Sequence, residues 1–150
     1  MFDYPQSPDV ISKILSHNDT GQSGGHQAGI LIPRTHEILS FFPVLDHSTK
    51  NPRVHLEFID LIGRAWIFAF IYYNNAYFGG TRNEYRLTRM TEYFRLNDLV
   101  AGDELILSRD TGGERSIDFR RANNEPLVQD GILRLGNNWK VISTNSRRQL

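Results

Sequence analysis

The chain has 150 residues, of which 39% are hydrophobic, a length and composition that suit one domain with its own core. Its 17 basic side chains balance its 17 acidic ones, which argues against a protein that coats nucleic acid regardless of sequence, because such proteins are usually basic. The absence of Cys excludes disulfides and thiolate metal ligands and fits a reducing, cytoplasmic compartment.

The first third of the chain predicts short elements separated by loops. Ile11, Ile14 and Leu15 lie at helical spacing, so we predict a short helix over residues 7–16. Residues 18–29 contain four Gly and predict a loop. A strand is expected at residues 30–32, followed by a short helix at residues 35–42 that begins after Thr35.

The remaining segments predict mainly strands. Residues 54–58 alternate between apolar and polar side chains, which indicates a half-exposed strand. Residues 66–73 are continuously apolar and predict a central strand, since a membrane helix would need about 20 such residues. Turns are expected at residues 60–63, 96–102 and 110–113, and further strands at residues 103–107, 115–119, 127–135 and 139–143. Many short strands with one or two helices predict a mostly β fold with short helices, of the mixed barrel type.

Residues 72–89 carry the densest group of polar candidates for a functional site. If this segment is extended, Arg82, Glu84, Arg86 and Thr88 share one face, because side chains alternate along a strand. Arg is the commonest reader of guanine O6 and N7, and Glu can accept a hydrogen bond from cytosine N4 in the major groove. From spacing alone, a solvated strand with a ladder of salt bridges is the more ordinary interpretation.

The sequence offers little to a catalytic centre. The commonest restriction-nuclease core has a carboxylate two residues before a catalytic Lys, and the residues two before Lys13, Lys50 and Lys140 are Ile, Ser and Asn. The five His do not form an H-x-x-x-H pair, and the glycine-rich loop lacks the G-K-[ST] of a nucleotide-binding loop. We therefore expect no catalytic residue, no metal site and no cofactor in this chain.

A series of motifs extends from residue 18 to residue 89. They read N-D-T-G-x-S-G-G-H-Q-x-G-I-x-I-P, F-F-P, N-P-x-V-x-L, A-x-I-Y-Y-N and F-G-x-T-R-N-E-x-R-x-T-R. Together they resemble the N-terminal DNA-binding domain of the EcoRII family of restriction endonucleases, over about residues 15–89. The two longest motifs are rich in polar residues, so a shared core composition does not explain the resemblance.

The resemblance implies a DNA-binding pseudobarrel, an open seven-stranded β-barrel that is shared with plant transcription factors. It implies two arms that grip the major groove of double-stranded DNA, the first arm at residues 18–29 and the second arm at residues 78–89. The implied target is a pseudopalindrome such as 5′-CCWGG, W being A or T. Base contacts are expected from His26, Arg82, Asn83 and Glu84. Contacts to the DNA backbone are expected from Lys13, Asn18, Thr20, Gly25, Gln27, Arg34, Thr81, Tyr85, Arg86 and Arg89.

Three departures from the family motif change these expectations. Gly80 and Tyr85 stand where the motif has Lys, and Leu31 stands where it has Tyr. The chain should therefore make fewer phosphate contacts, or take them from cations elsewhere.

We predict one DNA-binding domain over residues 1–150, excised from a larger prokaryotic and cytoplasmic restriction endonuclease whose nuclease domain lies outside this chain. The chain itself is predicted not to be an enzyme. Two other classes stay open. One is a small metal-dependent hydrolase that uses His26 and Asp19. The other is a β-rich protein-interaction module whose Arg and Glu side chains meet a partner protein.

Overall fold

The computed structural model describes residues 8–21, 29–122, 133–134 and 138–144, and strands dominate these ranges. The strands are β1 Pro8–Ile14, β2 Ile30–Ile32, β3 Arg53–Ile59, β4 Ala65–Tyr73, β5 Glu84–Thr88, β6 Glu104–Arg109, β7 Arg115–Arg120, β8 Leu133–Arg134 and β9 Trp139–Thr144. The helices are α1 His17–Thr20, α2 His36–Leu39, α3 Thr91–Leu96 and a 3-10 helix, Asn75–Phe78. In the described part of the chain, no helix has the length and apolar character needed to cross a membrane.

All the described strands form one sheet, in the order β2-β5-β4-β3-β7-β6-β1-β9-β8. Neighbouring strands are antiparallel except β3 and β7, which are parallel. The sheet curls on itself. This curl is shown by a hydrogen bond of 3.1 Å that the indole Nε1 of Trp139 in β9 donates to the carbonyl oxygen of Leu31 in β2. These two strands lie near opposite ends of the strand order, so the curl produces an open barrel.

The mostly β class and the pseudobarrel are therefore confirmed. The sheet has nine described strands where the resemblance implied seven. The strands at its two ends, β2 and β8, have three and two described residues.

Aromatic side chains fill the barrel. Phe68 and Phe70 of β4 are fully buried, which places them in the core as their apolar surroundings suggest. Phe70 stacks on Phe42 at 4.5 Å between ring centroids, and Tyr85 of β5 stacks on Tyr72 at 4.2 Å. These contacts join β4, β5 and the segment after α2, which is the part of the barrel that supports the second arm.

The helix predicted over residues 7–16 is wrong, because Pro8–Ile14 forms strand β1 between β6 and β9. With a hydrogen-bonded strand on each edge, β1 lies inside the sheet, and even Ser12 and Lys13 are buried. The helical spacing of Ile11, Ile14 and Leu15 was misleading. Ser12 and Lys13 are buried by partners elsewhere in the chain, and the local sequence does not show those partners. Helix α3 was not predicted, and neither was the 3-10 helix, which separates β4 from the second arm.

The other predicted elements are largely confirmed. Strands and turns lie at the expected places between residues 30 and 122, and β9 covers the last predicted strand. The helix expected over residues 35–42 is shorter, His36–Leu39, and Thr35 occupies its N-cap position without a side-chain hydrogen bond. The first arm opens with a turn of helix, α1, while residues 22–28 lie outside the described residues. Of the strand predicted at residues 127–135, only Leu133–Arg134 is described.

A buried ionic network crosses β9, β1 and β6. The Glu104 carboxylate accepts a hydrogen bond of 2.7 Å from Ser12 Oγ and one of 3.1 Å from Lys140 Nζ, and Arg120 lies 3.5 Å away. Burial raises the pKa of the Glu104 carboxyl. The hydrogen bonds from Ser12 and Lys140 and the nearby cations lower this pKa by more, so the net pKa lies below its ordinary value of 4.5. The ionised form is therefore favoured in the folded protein.

We expect Glu104 to stabilise the fold fully above about pH 4.5 and progressively less as the pH falls through its lower native pKa. Glu104→Gln leaves the ammonium of Lys140 buried without its counter-charge. It should cost about 3 kcal/mol at pH 7, near the lower end of the range for a broken buried ion pair. The measurement is urea unfolding between pH 7 and pH 3.

In the Glu104→Gln protein the acid-induced loss of stability should be smaller than in the wild type. Glu92→Gln is the control, because Glu92 is exposed and paired with an exposed Arg95. An equal effect of both substitutions at pH 7 would contradict the role given to Glu104.

Candidate nucleic-acid interface

The first part of the second arm belongs to a closed loop, residues 74–83, between β4 and β5. The loop is closed by Asn75, whose side-chain Oδ1 accepts a hydrogen bond of 2.6 Å from the backbone N–H of Arg82. The carbonyl oxygen of Asn75 accepts from the N–H of Gly80 at 2.7 Å, and Ala76 donates to the carbonyl oxygen of Arg82 at 2.9 Å. These bonds fix the backbone that carries Arg82 without making it part of strand β5.

Arg82, Glu84 and Arg86 lie on one face of the second arm, as alternation predicts, and we call them the Arg–Glu–Arg face. Glu84 Oε2 accepts a hydrogen bond of 2.7 Å from Arg82 NH2 and one of 2.6 Å from Arg86 Nε. Glu84 Oε1 has no partner among the described residues. The side chain of Arg82 is 39% exposed and that of Arg86 is 19% exposed, so Arg82 is the more accessible cation.

Partial burial raises the pKa of the Glu84 carboxyl, but the hydrogen bonds from Arg82 and Arg86 lower it by more, and the net pKa lies below its usual value. Glu84 is therefore ionised at neutral pH, with one oxygen engaged and one available to an external donor. A carboxylate acceptor beside a guanidinium donor matches the pattern that a G·C pair offers in the major groove.

Arg86 also joins the second arm to the first. Its NH1 donates a hydrogen bond of 2.8 Å to the carbonyl oxygen of Gly29, the last residue of the first arm. Gly29 has φ +86°, and a Cβ there would lie 2.1 Å from the carbonyl oxygen of Leu87. The end of the first arm thus lies directly against the backbone of β5, where only Gly fits.

The predicted residues of the first arm are only partly visible. Asn18 is exposed in α1, and the hydroxyl of Thr20 donates to backbone carbonyl oxygens of the preceding turn. The predicted base contact of His26 and the predicted backbone contacts of Gly25 and Gln27 lie outside the described residues. Their roles stay predictions.

Asn83 lies apart from the Arg–Glu–Arg face. Its Oδ1 accepts hydrogen bonds from the hydroxyl of Tyr72 at 2.6 Å and from Arg34 NH1 at 2.9 Å. Because a guanidinium can only donate, these bonds fix which end of the amide is the oxygen. The amide nitrogen donates to the hydroxyl of Tyr77 at 3.5 Å and has a second hydrogen, through which the predicted base contact of Asn83 would have to be made.

Two of the predicted phosphate contacts fall on buried side chains. Lys13 is 5% exposed, and its ammonium forms an ion pair with the equally buried Asp19, so it is a structural cation. Tyr85 is 7% exposed, stacks on Tyr72, and has its hydroxyl 3.0 Å from His47 Nε2. It points to the core side of β5, opposite to the Arg–Glu–Arg face, because side chains alternate along a strand.

Three other predicted phosphate contacts lie at the surface. Thr81, Arg34 and Arg89 are all exposed. Arg89 has φ +69°, an uncommon conformation for a residue other than Gly, and makes no hydrogen bond or ion pair with a described residue. Its guanidinium is therefore available to an anion, and its phosphate contact stays a prediction.

Two residues of this site were not recognised from the sequence. Tyr73 lies under Arg82, with the guanidinium carbon 3.9 Å from its ring centroid. Asn75 closes the loop, and its carboxamide would lie 2.7 Å from a Cβ at Gly80. The sequence did contain a signal for Tyr73, which is the last residue of an apolar strand. An antiparallel strand that follows such a strand must begin beside its last residue, and here Glu84 pairs with Tyr73.

Among the described residues, no group of three or more His, Asp or Glu side chains is placed to hold a metal ion. The Asp19 carboxylate suggested for a metal-dependent hydrolase is instead bound to Lys13 and to the backbone N–H of Ser16.

Residues 6–120 match the family of the N-terminal domain of the restriction endonuclease EcoRII. The chain belongs to this family. The type II restriction enzyme EcoRII of Escherichia coli is 42% identical over 107 residues, which cover 65% of this chain and 25% of that enzyme. The resemblance inferred from the motifs is thus confirmed, and the chain spans about a quarter of the length of this EcoRII relative.

Plant proteins are similar as well. Auxin response factor 12 of Arabidopsis thaliana is 32% identical over 115 residues, which cover 77% of this chain and 18% of that factor. Among solved structures, the Arabidopsis FUS3–DNA complex matches with a TM-score of 0.59 at 20% identity and covers 75% of this chain and 96% of that one. This likeness confirms that the EcoRII N-terminal fold of this chain is shared with plant proteins.

The close approach at Gly29 leads to a test by substitution. Gly29→Ala must accommodate both a left-handed backbone, at about 1–2 kcal/mol, and a Cβ that overlaps β5, at about 1–3 kcal/mol more. Gly21→Ala is the matched control, because Gly21 has φ +81° and open space around a Cβ. Chemical denaturation should show a larger loss of unfolding free energy for Gly29→Ala, and equal losses would mean that β5 does not crowd this position.

Proposed function

We propose that this chain is a sequence-specific double-stranded DNA-binding domain that reads base pairs with its second arm. The observation that carries the proposal is the Arg–Glu–Arg face, a partly exposed ion cluster on a loop whose backbone is fixed. A partly exposed ion pair contributes little to stability, so stability alone does not account for three charged side chains held in one place. Membership in the EcoRII N-terminal family and the fold shared with a DNA-complexed protein support the same function.

The chemistry of the face suits a G·C pair. Arg82 offers guanidinium donors to guanine O6 and N7, and the unpartnered Oε1 of Glu84 can accept from cytosine N4. Within the described residues, Arg82 Nε and NH1 make no hydrogen bond that would compete with a base. Arg86, which is less exposed and tied to Gly29, acts as a support and can reach a phosphate with its NH2 group or with the second hydrogen of NH1.

The wider role follows from the family. We propose a pseudopalindrome such as 5′-CCWGG as the target, and a parent restriction endonuclease in a prokaryotic cytoplasm that carries its nuclease domain outside this chain. The coverage of 25% of the EcoRII enzyme leaves ample length for such a domain in a relative of that kind. By this proposal residues 1–150 are one recognition domain, and cleavage is not one of its own activities.

Binding of labelled duplexes tests the function and separates it from its rivals. The duplexes carry 5′-CCWGG or a scrambled sequence of equal composition, and each is titrated with and without Mg²⁺. We expect tighter binding of the specific duplex without metal and without cleavage. Cleavage that depends on Mg²⁺ would indicate a hydrolase, and no binding to either duplex would favour a protein-interaction module. If neither duplex is preferred, selection from a library of random-sequence duplexes identifies the actual site. Single base-pair replacements in the selected duplex then show which positions are read.

Arg82→Ala should lower affinity for the specific duplex towards that for the scrambled duplex, because a bidentate base contact is worth about 1–3 kcal/mol of discrimination. Arg89→Ala is the comparison variant, since a phosphate contact is lost from both duplexes alike. Fluorescence anisotropy titrations give both affinities. An equal loss for both duplexes with Arg82→Ala would make Arg82 a phosphate contact.

Specific binding should weaken with salt along a shallow slope. Each neutralised phosphate contributes about −0.9 to the slope of log affinity against log salt. Of the predicted phosphate contacts, Lys13 is buried in an ion pair and Tyr85 carries no positive charge, so Arg34, Arg86 and Arg89 are the cations that remain among them. Titrations at several NaCl concentrations measure this slope, and a value near −10 would require about 11 phosphate contacts and refute the expectation.

A further inference from the structure

Arg82 is held on two sides. One edge of its guanidinium donates to Glu84 at 2.7 Å, and one face of it lies over the ring of Tyr73, with 3.9 Å between the guanidinium carbon and the ring centroid. The other Arg-over-ring contacts among the described residues are longer, at 4.9, 5.1 and 5.4 Å. The contact between Arg82 and Tyr73 is therefore the closest stacking of this kind that the described part of the chain shows.

The strand register puts Tyr73 in this place. Tyr73 is the last residue of β4 and pairs directly with Glu84, the first residue of β5. Side chains of paired residues lie on the same face of the sheet, so Tyr73 shares the Arg–Glu–Arg face. Its neighbour Tyr72 points to the opposite side and stacks on Tyr85 in the core. Tyr73 is half-buried and, with its ring under Arg82, is not needed to fill the barrel.

We propose that Tyr73 is a specificity-determining positioning residue, whose ring holds the Arg82 guanidinium in the orientation that reads guanine. The proposal rests on the DNA-reading function proposed above. Arg carries about 2 kcal/mol of rotamer entropy, and a guanidinium that is already oriented loses less of it when a base contact forms. The ring supports the guanidinium face and leaves its free edge to the base.

The ring is the support that persists on the DNA. When Oε1 of Glu84 accepts from a cytosine amino group, the bond from Arg82 to Oε2 weakens, because a carboxylate shared between a base and two guanidiniums divides its acceptor capacity. A cation–π contact does not use hydrogen-bond donors, so the donors of Arg82 stay available for guanine. Tyr73 thus acts through Arg82 and needs no contact of its own with the base.

Substitution of Tyr73 tests the proposal through the ratio of affinities for the specific and scrambled duplexes. Tyr73→Phe keeps an aromatic face and should keep the ratio. Tyr73→Leu keeps apolar bulk without the π face and should lower the ratio by about 2- to 30-fold, the range expected for a cation–π contact. Ile67→Ala is the control, because Ile67 is exposed on the same strand and lies on the same face of the sheet.

The Arg82→Ala background shows whether Tyr73 acts through Arg82. There, Tyr73→Leu should produce no further change in the ratio. Thermal unfolding checks that the variants are folded, and Tyr73→Met replaces Tyr73→Leu if the latter is not. If Tyr73→Phe loses as much as Tyr73→Leu, the hydroxyl contacts DNA directly and the proposal is wrong.

An unchanged ratio with Tyr73→Leu would also overturn the proposal, whether both affinities fall by the same factor or neither affinity changes. These outcomes differ from a failure of the DNA-reading function itself. In that case the wild-type protein would show no preference for any duplex, including those obtained by selection, and the comparison of Tyr73 variants would have no ratio to change.

Discussion

The carboxylate of Glu84 organises the charged side of the second arm. Its Oε2 accepts hydrogen bonds from Arg82 and Arg86, and Arg86 continues to the carbonyl oxygen of Gly29. One acidic side chain therefore fixes two guanidiniums and, through Arg86, connects the end of the first arm to β5. Without Glu84, like charges two residues apart would repel each other on one face of a strand. Since partly exposed ion pairs add little stability, the main consequence of this carboxylate is the placement of the cations.

Glu104 forms a comparable set of ion pairs with a different physical result. Its side chain is 8% exposed, against 30% for Glu84, and its partners lie on neighbouring strands of the barrel wall. A buried charge of this kind is tolerated only with its partners, so Ser12 and Lys140 must be in register with it. Glu84 instead keeps an oxygen without a described partner and lies where solvent or a ligand can replace a neighbour. The difference in exposure thus distinguishes the two carboxylates. The buried Glu104 depends on the register of its strands, whereas the more exposed Glu84 can exchange partners.

The parts of the site that sequence could predict are those set by local geometry. The shared face of Arg82, Glu84 and Arg86 follows from the two-residue period of a strand, and the same period placed Tyr85 on the opposite face. Tyr85 was also predicted to contact the DNA backbone, and its ring stacks on Tyr72 in the core. The burial of Lys13 could not be read locally, because β1 is enclosed by β6 and β9, and Ser12 meets Glu104 across 92 positions of sequence. Likewise, the place of Tyr73 under Arg82 required the pairing of β4 with β5.

The loss of a family Lys at Gly80 has a structural counterpart in this chain. The carboxamide of Asn75 occupies the space that a side chain at Gly80 would need, and it accepts a hydrogen bond from the N–H of Arg82. A flexible cation at this place would have to displace the group that closes the loop. The arm therefore has no cation at this position, and Asn75 holds its backbone next to Arg82. Long-range attraction to phosphates depends on the number of cations, whereas base reading depends on how well each donor is placed. By the function proposed above, the sequence of this arm thus favours discrimination between bases over general attraction to DNA.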